Sequence, residues 1–101
     1  MSSSVPNCTL FYSLHGLAVG EFQQQSQQLR THLINHNIKL IDLNQWDKSG
    51  LSGREKMAIR KTYQFPRKSN YAVLIDENEA VLNTFKHDVN VVSVLLSCPK
   101  Q

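Results

Sequence analysis

Cysteine is scarce in this chain of 101 residues: there are two, Cys8 and Cys98, near opposite ends. Two cysteines cannot build a disulfide scaffold, and this pair has neither the spacing of a redox Cys-x-x-Cys nor that of a metal site. A Cys8–Cys98 bridge would need the two Cα atoms within about 7 Å. The expectation is instead two small thiols, buried or half-buried. Long apolar runs are also missing. None approaches the roughly 18 residues of a membrane-spanning helix. The first seven residues have no basic n-region and no apolar h-region, so no signal peptide is read there. As it stands the chain is expected to be cytoplasmic, or periplasmic or secreted if a leader has been removed. Charge of one sign is in short supply too: 11 basic against 8 acidic residues leave a net charge of +3. That supports solubility and weak attraction to anions, and falls short of a nucleic-acid footprint. No internal repeat is visible.

What is present is ordinary globular composition, 41% hydrophobic and 19% charged. A chain of this length buries roughly two-thirds of the surface its unfolded form exposes, which suffices for one core. We read a loose Ser-rich leader over 1–7 and a single domain over 8–99.

Residues 8–14 carry apolar and aromatic side chains on both faces, as a central strand covered on both sides requires. His15 and Gly16 end it. Over 18–37, Phe22, Leu29 and Leu33 fall at helical spacing, Ile34 widens the stripe, and a run of glutamines forms a solvated face. Residues 38–43 make a second strand. The length between it and the first allows a helical crossover, hence a parallel pair. Ser52 and Glu55 fit a capping box opening a helix whose Met57, Ala58 and Thr62 face inward. Residues 71–76 and 80–85 read as a hairpin about an acidic turn. The last segment, 90–97, is strand-like by β-branched propensity and helix-like by its stripe. A ββα unit needs a helix to cover the sheet, and this decides for helix. Pro99 stops it.

The phrase Ala58-Ile59-Arg60-Lys61-Thr62-Tyr63-Gln64-Phe65-Pro66, then Tyr71-Ala72-Val73-Leu74-Ile75-Asp76, then Ala80-Val81-Leu82 resembles the second half of peroxiredoxin-like thioredoxin folds. In those a helix ends in a Tyr-x-Val-Pro phrase and a strand ends in an acidic turn. The segment 89–99 resembles the closing helix of a bacterial thioredoxin-like family of unassigned activity. That family is related to domains in secreted vertebrate proteins such as equarin and the sushi-repeat proteins. The resemblance implies an α/β fold of βαβ–α–ββα order, with a four-stranded mixed sheet flanked by helices. It also locates a departure. Where redox-active thioredoxins carry Cys-x-x-Cys at the strand–helix junction, this chain has His15 and Ala18, so no thiolate can attack or resolve there. Cys8 lies at the other end of the strand, about 20 Å away. The family's cis-proline would directly precede the third strand. Pro66 stands five residues too early for it.

Candidate chemistry is modest. A helix N-terminus at His15 and Gly16, with the Ser13 hydroxyl, is suited to anions, although such a histidine is more often a cap or a surface residue. Arg54, Lys56, Arg60, Lys61, Arg67 and Lys68 cluster with Tyr63 and Phe65, and such runs are usually a solvated face. His32 and His36 share a helix face but do not make a zinc site. Asp42, Asp47 and Asp76 are unpaired by spacing and default to surface charge. Trp46 is read as a local core plug.

These readings favour a non-enzymatic module that binds a peptide or protein in a cleft formed by Ser13, His15, Gly16, Phe65, Pro66, Arg67 and Lys68, with no cofactor, no metal and no membrane. The rival class is a thiol-dependent redox or peroxidase-like enzyme using Cys8 or Cys98 alone. Weak nucleic-acid binding by the basic helix is a third. Oligomeric state and partner identity are left open by the residues.

Overall fold

The computed structural model describes residues 6–44, 52–86 and 88–99. In chain order these form β1 (Cys8–Ser13), α1 (Leu17–Gln28), α2 (Arg30–Asn35), β2 (Ile38–Asp42), α3 (Gly53–Thr62), β3 (Tyr71–Asp76), β4 (Val81–Lys86) and α4 (Val91–Ser97). The four strands make one mixed sheet in the order β2-β1-β3-β4. β1 is parallel to β2 and antiparallel to β3, and β3 and β4 form an antiparallel hairpin. The architecture is mixed α/β in βαβ–α–ββα order, with the first helical segment in two pieces. The last segment is a helix, as coverage of the sheet demands.

β1 lies mid-sheet because both its faces are apolar, and strand alternation divides them. Leu10 pairs in register with Leu40 and Leu74, while Phe11 pairs with Ile41 and Val73. Cys8 and Leu10 join Phe22, Leu33, Ala72, Leu74, Val91 and Val94 in the core beneath α1, α2 and α4. Phe11, Ile41, Leu43, Val73 and Ile75 form a second cluster on the opposite face, where Ile59 of α3 and Tyr63, which caps it, pack. Each fully buried side chain of this size contributes about 1.5–3 kcal/mol. Among the described residues three helices cover one face and one covers the other.

Local chemistry sets the element ends. Ser52 Oγ accepts from the Glu55 amide (3.1 Å) and Glu55 Oε1 accepts from the Ser52 amide (3.2 Å), which closes the expected capping box. In the hairpin turn Asp76 Oδ1 accepts from the amides of Asn78 (2.8 Å) and Ala80 (2.9 Å). Asn90 Oδ1 accepts from the Val92 amide (2.8 Å) and starts α4.

Several expectations are corrected. Cys8 and Cys98 are not separate thiols but a disulfide with Cα atoms 6.2 Å apart, and no cysteine is free. The cause lies in α4: Val91, Val94 and Cys98 fall on one helical stripe, and all three are buried over the sheet face that carries Cys8. The helix expected over 18–37 is broken at Leu29, whose backbone (φ −105°, ψ 19°) leaves the helical region and separates α1 from α2. Ile34 consequently does not widen the buried stripe; it is 64% exposed. On α3 the inward face is Lys56, Ile59 and Tyr63, whereas Met57 is 71% exposed and Ala58 and Thr62 are also exposed. Asn7 belongs to the fold and not to a loose leader. Its amide donates to the Asn37 carbonyl (2.8 Å) and its side-chain amide to the Pro99 carbonyl (2.7 Å), so both ends of the domain meet there. Trp46, Asp47 and most of the leader lie outside the described residues. Among the described residues no helix is long and apolar enough to cross a membrane.

Candidate functional site

The C-terminal end of β1 delivers the chain to the sheet rim beside the end of its parallel neighbour β2. Such rims are where open α/β sheets offer crevices. Ser13 is fully buried there, and its hydroxyl donates to Asn44 Oδ1 (3.3 Å). Asn44 also donates from its side-chain amide to the Leu14 carbonyl (3.0 Å) and from its backbone to Asp42 Oδ1 (2.8 Å). A guanidinium nitrogen of Arg60 donates to Asn44 Oδ1 and to the Leu43 carbonyl. Asn44 thus ties the ends of β1 and β2 to α3.

His15 and Gly16 are exposed. Gly16 holds φ 64° and ψ −136°, a backbone that L side chains rarely adopt, and it starts α1 without any side-chain cap. The His15 amide donates to Asn70 Oδ1 (2.8 Å). Asn70 directly precedes β3, so this bond joins the strand–helix junction to the end of loop 64–70. Inside that loop Phe65 and Pro66 are half-buried, and the Phe65 ring meets Tyr71 edge-on at 4.9 Å. Arg67 and Lys68 are exposed. Pro66 stands between two small cavities. One, of about 350 Å³, is also bordered by Ser69, Asn70, Tyr71 and Lys86. The other, of about 260 Å³, is bordered by Met57, Arg60, Lys61, Phe65 and Arg67. The bond from His15 to Asn70 ties the junction to the residue that ends this loop, but neither cavity is lined by Ser13, His15 or Gly16, so the two groups of candidate residues do not share one cleft. Ser13 is buried at the strand end, bonded to Asn44.

Tyr12 lies one residue inside the junction, with its ring 4.6 Å from Phe22. Burial first, and the charge of Asp42 second, push its hydroxyl up to about 12, so it is a neutral phenol at physiological pH. His32 is exposed in the last turn of α2 and His36 follows that helix half-buried. Among the described residues no group of three or more His, Cys, Asp or Glu is placed to hold a metal ion.

Sequence reasoning missed Asn44 and Asn70, the two side chains that organise this rim. An asparagine two residues past one strand and another directly before the next is the usable signal, because its short amide bonds neighbouring backbone. Arg60 was grouped with a solvated basic face, yet it is half-buried and anchors Asn44.

No family model, no curated protein and no solved structure matches this chain.

Proposed function

We propose that the chain is a non-enzymatic binding module of thioredoxin-like descent. It holds a peptide or protein at the rim formed by His15, Gly16, Phe65, Pro66, Arg67 and Lys68, with Ser13 bracing the junction. One observation carries the reading. Both cysteines are consumed in a buried disulfide at the far end of β1, while the strand–helix junction itself exposes His15 and Gly16 and is tied by Asn70 to a loop bearing exposed cations. A junction without a thiol has no nucleophile for dithiol exchange and keeps the shape of a recognition surface. Arg67 and Lys68 favour an occupant with acidic groups.

The same disulfide supports an oxidising compartment as the place of work, since such bonds persist in secreted and periplasmic proteins and are rare in the cytosol. The lone-thiol enzyme loses its nucleophile for as long as Cys8 and Cys98 are joined.

The test has two arms. Peptides selected from a random display library against the full chain are expected to shift the amide resonances of His15, Gly16 and residues 65–68. Their affinity should fall in the Arg67→Glu/Lys68→Glu variant. Selected peptides whose shifts map elsewhere, and which ignore the charge reversal, would refute the rim as a binding surface. In parallel, thiol titration of the native chain without reductant is expected to find no reactive cysteine. One fast-reacting thiol per chain would restore the enzymatic reading.

A further inference from the structure

We propose that a second site lies on the α3 face of the sheet, at the end away from the rim, and that it takes a short peptide segment carrying an apolar side chain next to a lysine or arginine. The proposal does not rest on the rim reading.

α3 has ten residues and is the sole helix described on its face of the sheet, so part of that face is left open beside it. The result is a groove of about 720 Å³, against about 350, 260 and 210 Å³ for three cavities that border loop 64–70 and the start of α3. Its size falls in the range of small-ligand pockets, roughly 300–1,000 Å³. Phe11, Ile41 and Ile75 form the floor, each a core residue that also lines the groove, and Ile59 of α3 with the capping Tyr63 forms the wall. The Tyr63 ring stacks on Phe11 at 5.9 Å, which fixes the wall against the floor. An apolar side chain entering here meets aliphatic and aromatic carbon on several sides.

The rim gives the occupant its charge. Asp76, Glu77 and Glu79, from the turn of the hairpin, border the groove on one side, and Lys39 is the one cation among its described lining residues. The Asp76 carboxylate is held in place, its Oδ1 taking two backbone amides, and the Glu79 amide donates to the Asp76 carbonyl (3.0 Å), which fixes the backbone of the turn that carries Glu77 and Glu79. Burial and, second, the charge of Glu79 raise the Tyr63 phenol above its ordinary value, which places the Glu79 field over the groove. In a chain of net charge +3 this is a local excess of negative charge over an apolar floor. A cation beside the apolar side chain is attracted to the turn, and a carboxylate in the same place is repelled. Lys39, on the opposite strand edge, repels a cation from that side and so sets the direction of the segment.

Acetyl-Phe-Arg-amide, acetyl-Phe-Gln-amide and acetyl-Phe-Glu-amide, titrated at millimolar concentration into the isotope-labelled full chain, test this. The expected result is saturable shifts of the Ile41, Ile59 and Ile75 methyl groups and the Phe11 ring, with affinity falling in the order Arg, Gln, Glu. The Arg and Glu probes should differ by roughly three- to tenfold, as partly exposed charges allow. Both Glu77 and Glu79 are exposed, so Glu77→Lys/Glu79→Lys should keep the folded spectrum while reversing the order of the probes. Absence of saturable shifts at the isoleucines, equal affinity for the three probes, or an order unchanged by the double reversal would each overturn the proposal.

Discussion

The backbone amide of His15 donates to the side-chain oxygen of Asn70 at 2.8 Å across a sequence separation of 55 residues. It joins the strand–helix junction to the end of loop 64–70. Asn70→Ala should cost about 0.5–1.5 kcal/mol, the usual net worth of such a bond, and Asn70→Asp should cost less because it retains the acceptor. Urea unfolding measures the stability, and amide exchange at His15 measures the bond. An exchange rate unchanged in Asn70→Ala would mean that the two segments are not coupled in solution.

Two glycines a turn apart should respond with opposite signs. At Gly16 a Cβ meets nothing within 4 Å, so space is no obstacle, but φ of 64° with ψ of −136° is. Gly16→Ala should therefore destabilise by about 1–3 kcal/mol, the cost of holding a non-glycine residue in a sparsely populated region. Gly20 lies inside α1 with ordinary helical backbone and open space around it. Gly20→Ala should stabilise by about 0.5–1 kcal/mol through helix propensity alone. Thermal unfolding of the two variants gives both signs in one experiment.

The disulfide closes a loop of 90 residues in sequence, almost the whole domain. Its main effect is on the unfolded chain, whose ends it holds together. Cys8→Ala/Cys98→Ala, or reduction of the native chain, should lower the unfolding free energy by about 2–4 kcal/mol while leaving the fold in place. Chemical denaturation with and without reductant reads the difference. Identical midpoints would place the bond outside the stabilising contacts of the domain.

Gln25 does more than its neighbours in the glutamine run. Its Oε1 accepts from the Val91 amide at 3.1 Å, so a side chain of α1 satisfies an orphan donor at the start of α4, while Asn90 serves the next amide. Gln25→Ala should cost about 1 kcal/mol, comparable to loss of a helix cap, and Gln24→Ala on the exposed side should cost almost nothing. Urea unfolding of the pair separates the two glutamines.

These residues mark where the sequence was legible and where it was not. The central position of β1 followed from apolar residues on both its faces. The Ser52–Glu55 cap followed from its spacing, and the helical ending from the need to cover the sheet. Each of these is a local pattern or a rule of layer packing. Gln25 was invisible because its partner is 66 positions away. The inward face of α3 was misassigned because its two strongest apolar residues, Met57 and Ile59, cannot share a face, and Met57 was chosen over the stripe of Ile59 and Tyr63. The disulfide was misjudged on spacing, which says nothing across most of a chain. The stripe of Val91, Val94 and Cys98 held the usable signal, because a helix that buries its valines over the sheet also lowers its cysteine onto Cys8. At the rim, Asn44 and Asn70 were overlooked because asparagines between elements are so often ordinary turn residues.

Tyr12 makes the fold sensitive to alkali. Its hydroxyl is raised to about 12 by burial and by Asp42, against an ordinary value near 10 in the unfolded chain. Between these two values the native state holds a proton that the unfolded state has released, so stability falls as pH rises. The contribution is fully present below about pH 10 and is lost progressively as pH climbs toward 12. Tyr12→Phe removes the titrating group and keeps the ring against Phe22. Urea midpoints measured across this alkaline window should decline more steeply in the native chain than in Tyr12→Phe, and the two curves should run parallel below pH 9, where neither state has released the proton. Parallel curves throughout would mean that the Tyr12 hydroxyl titrates alike in the folded and unfolded chains.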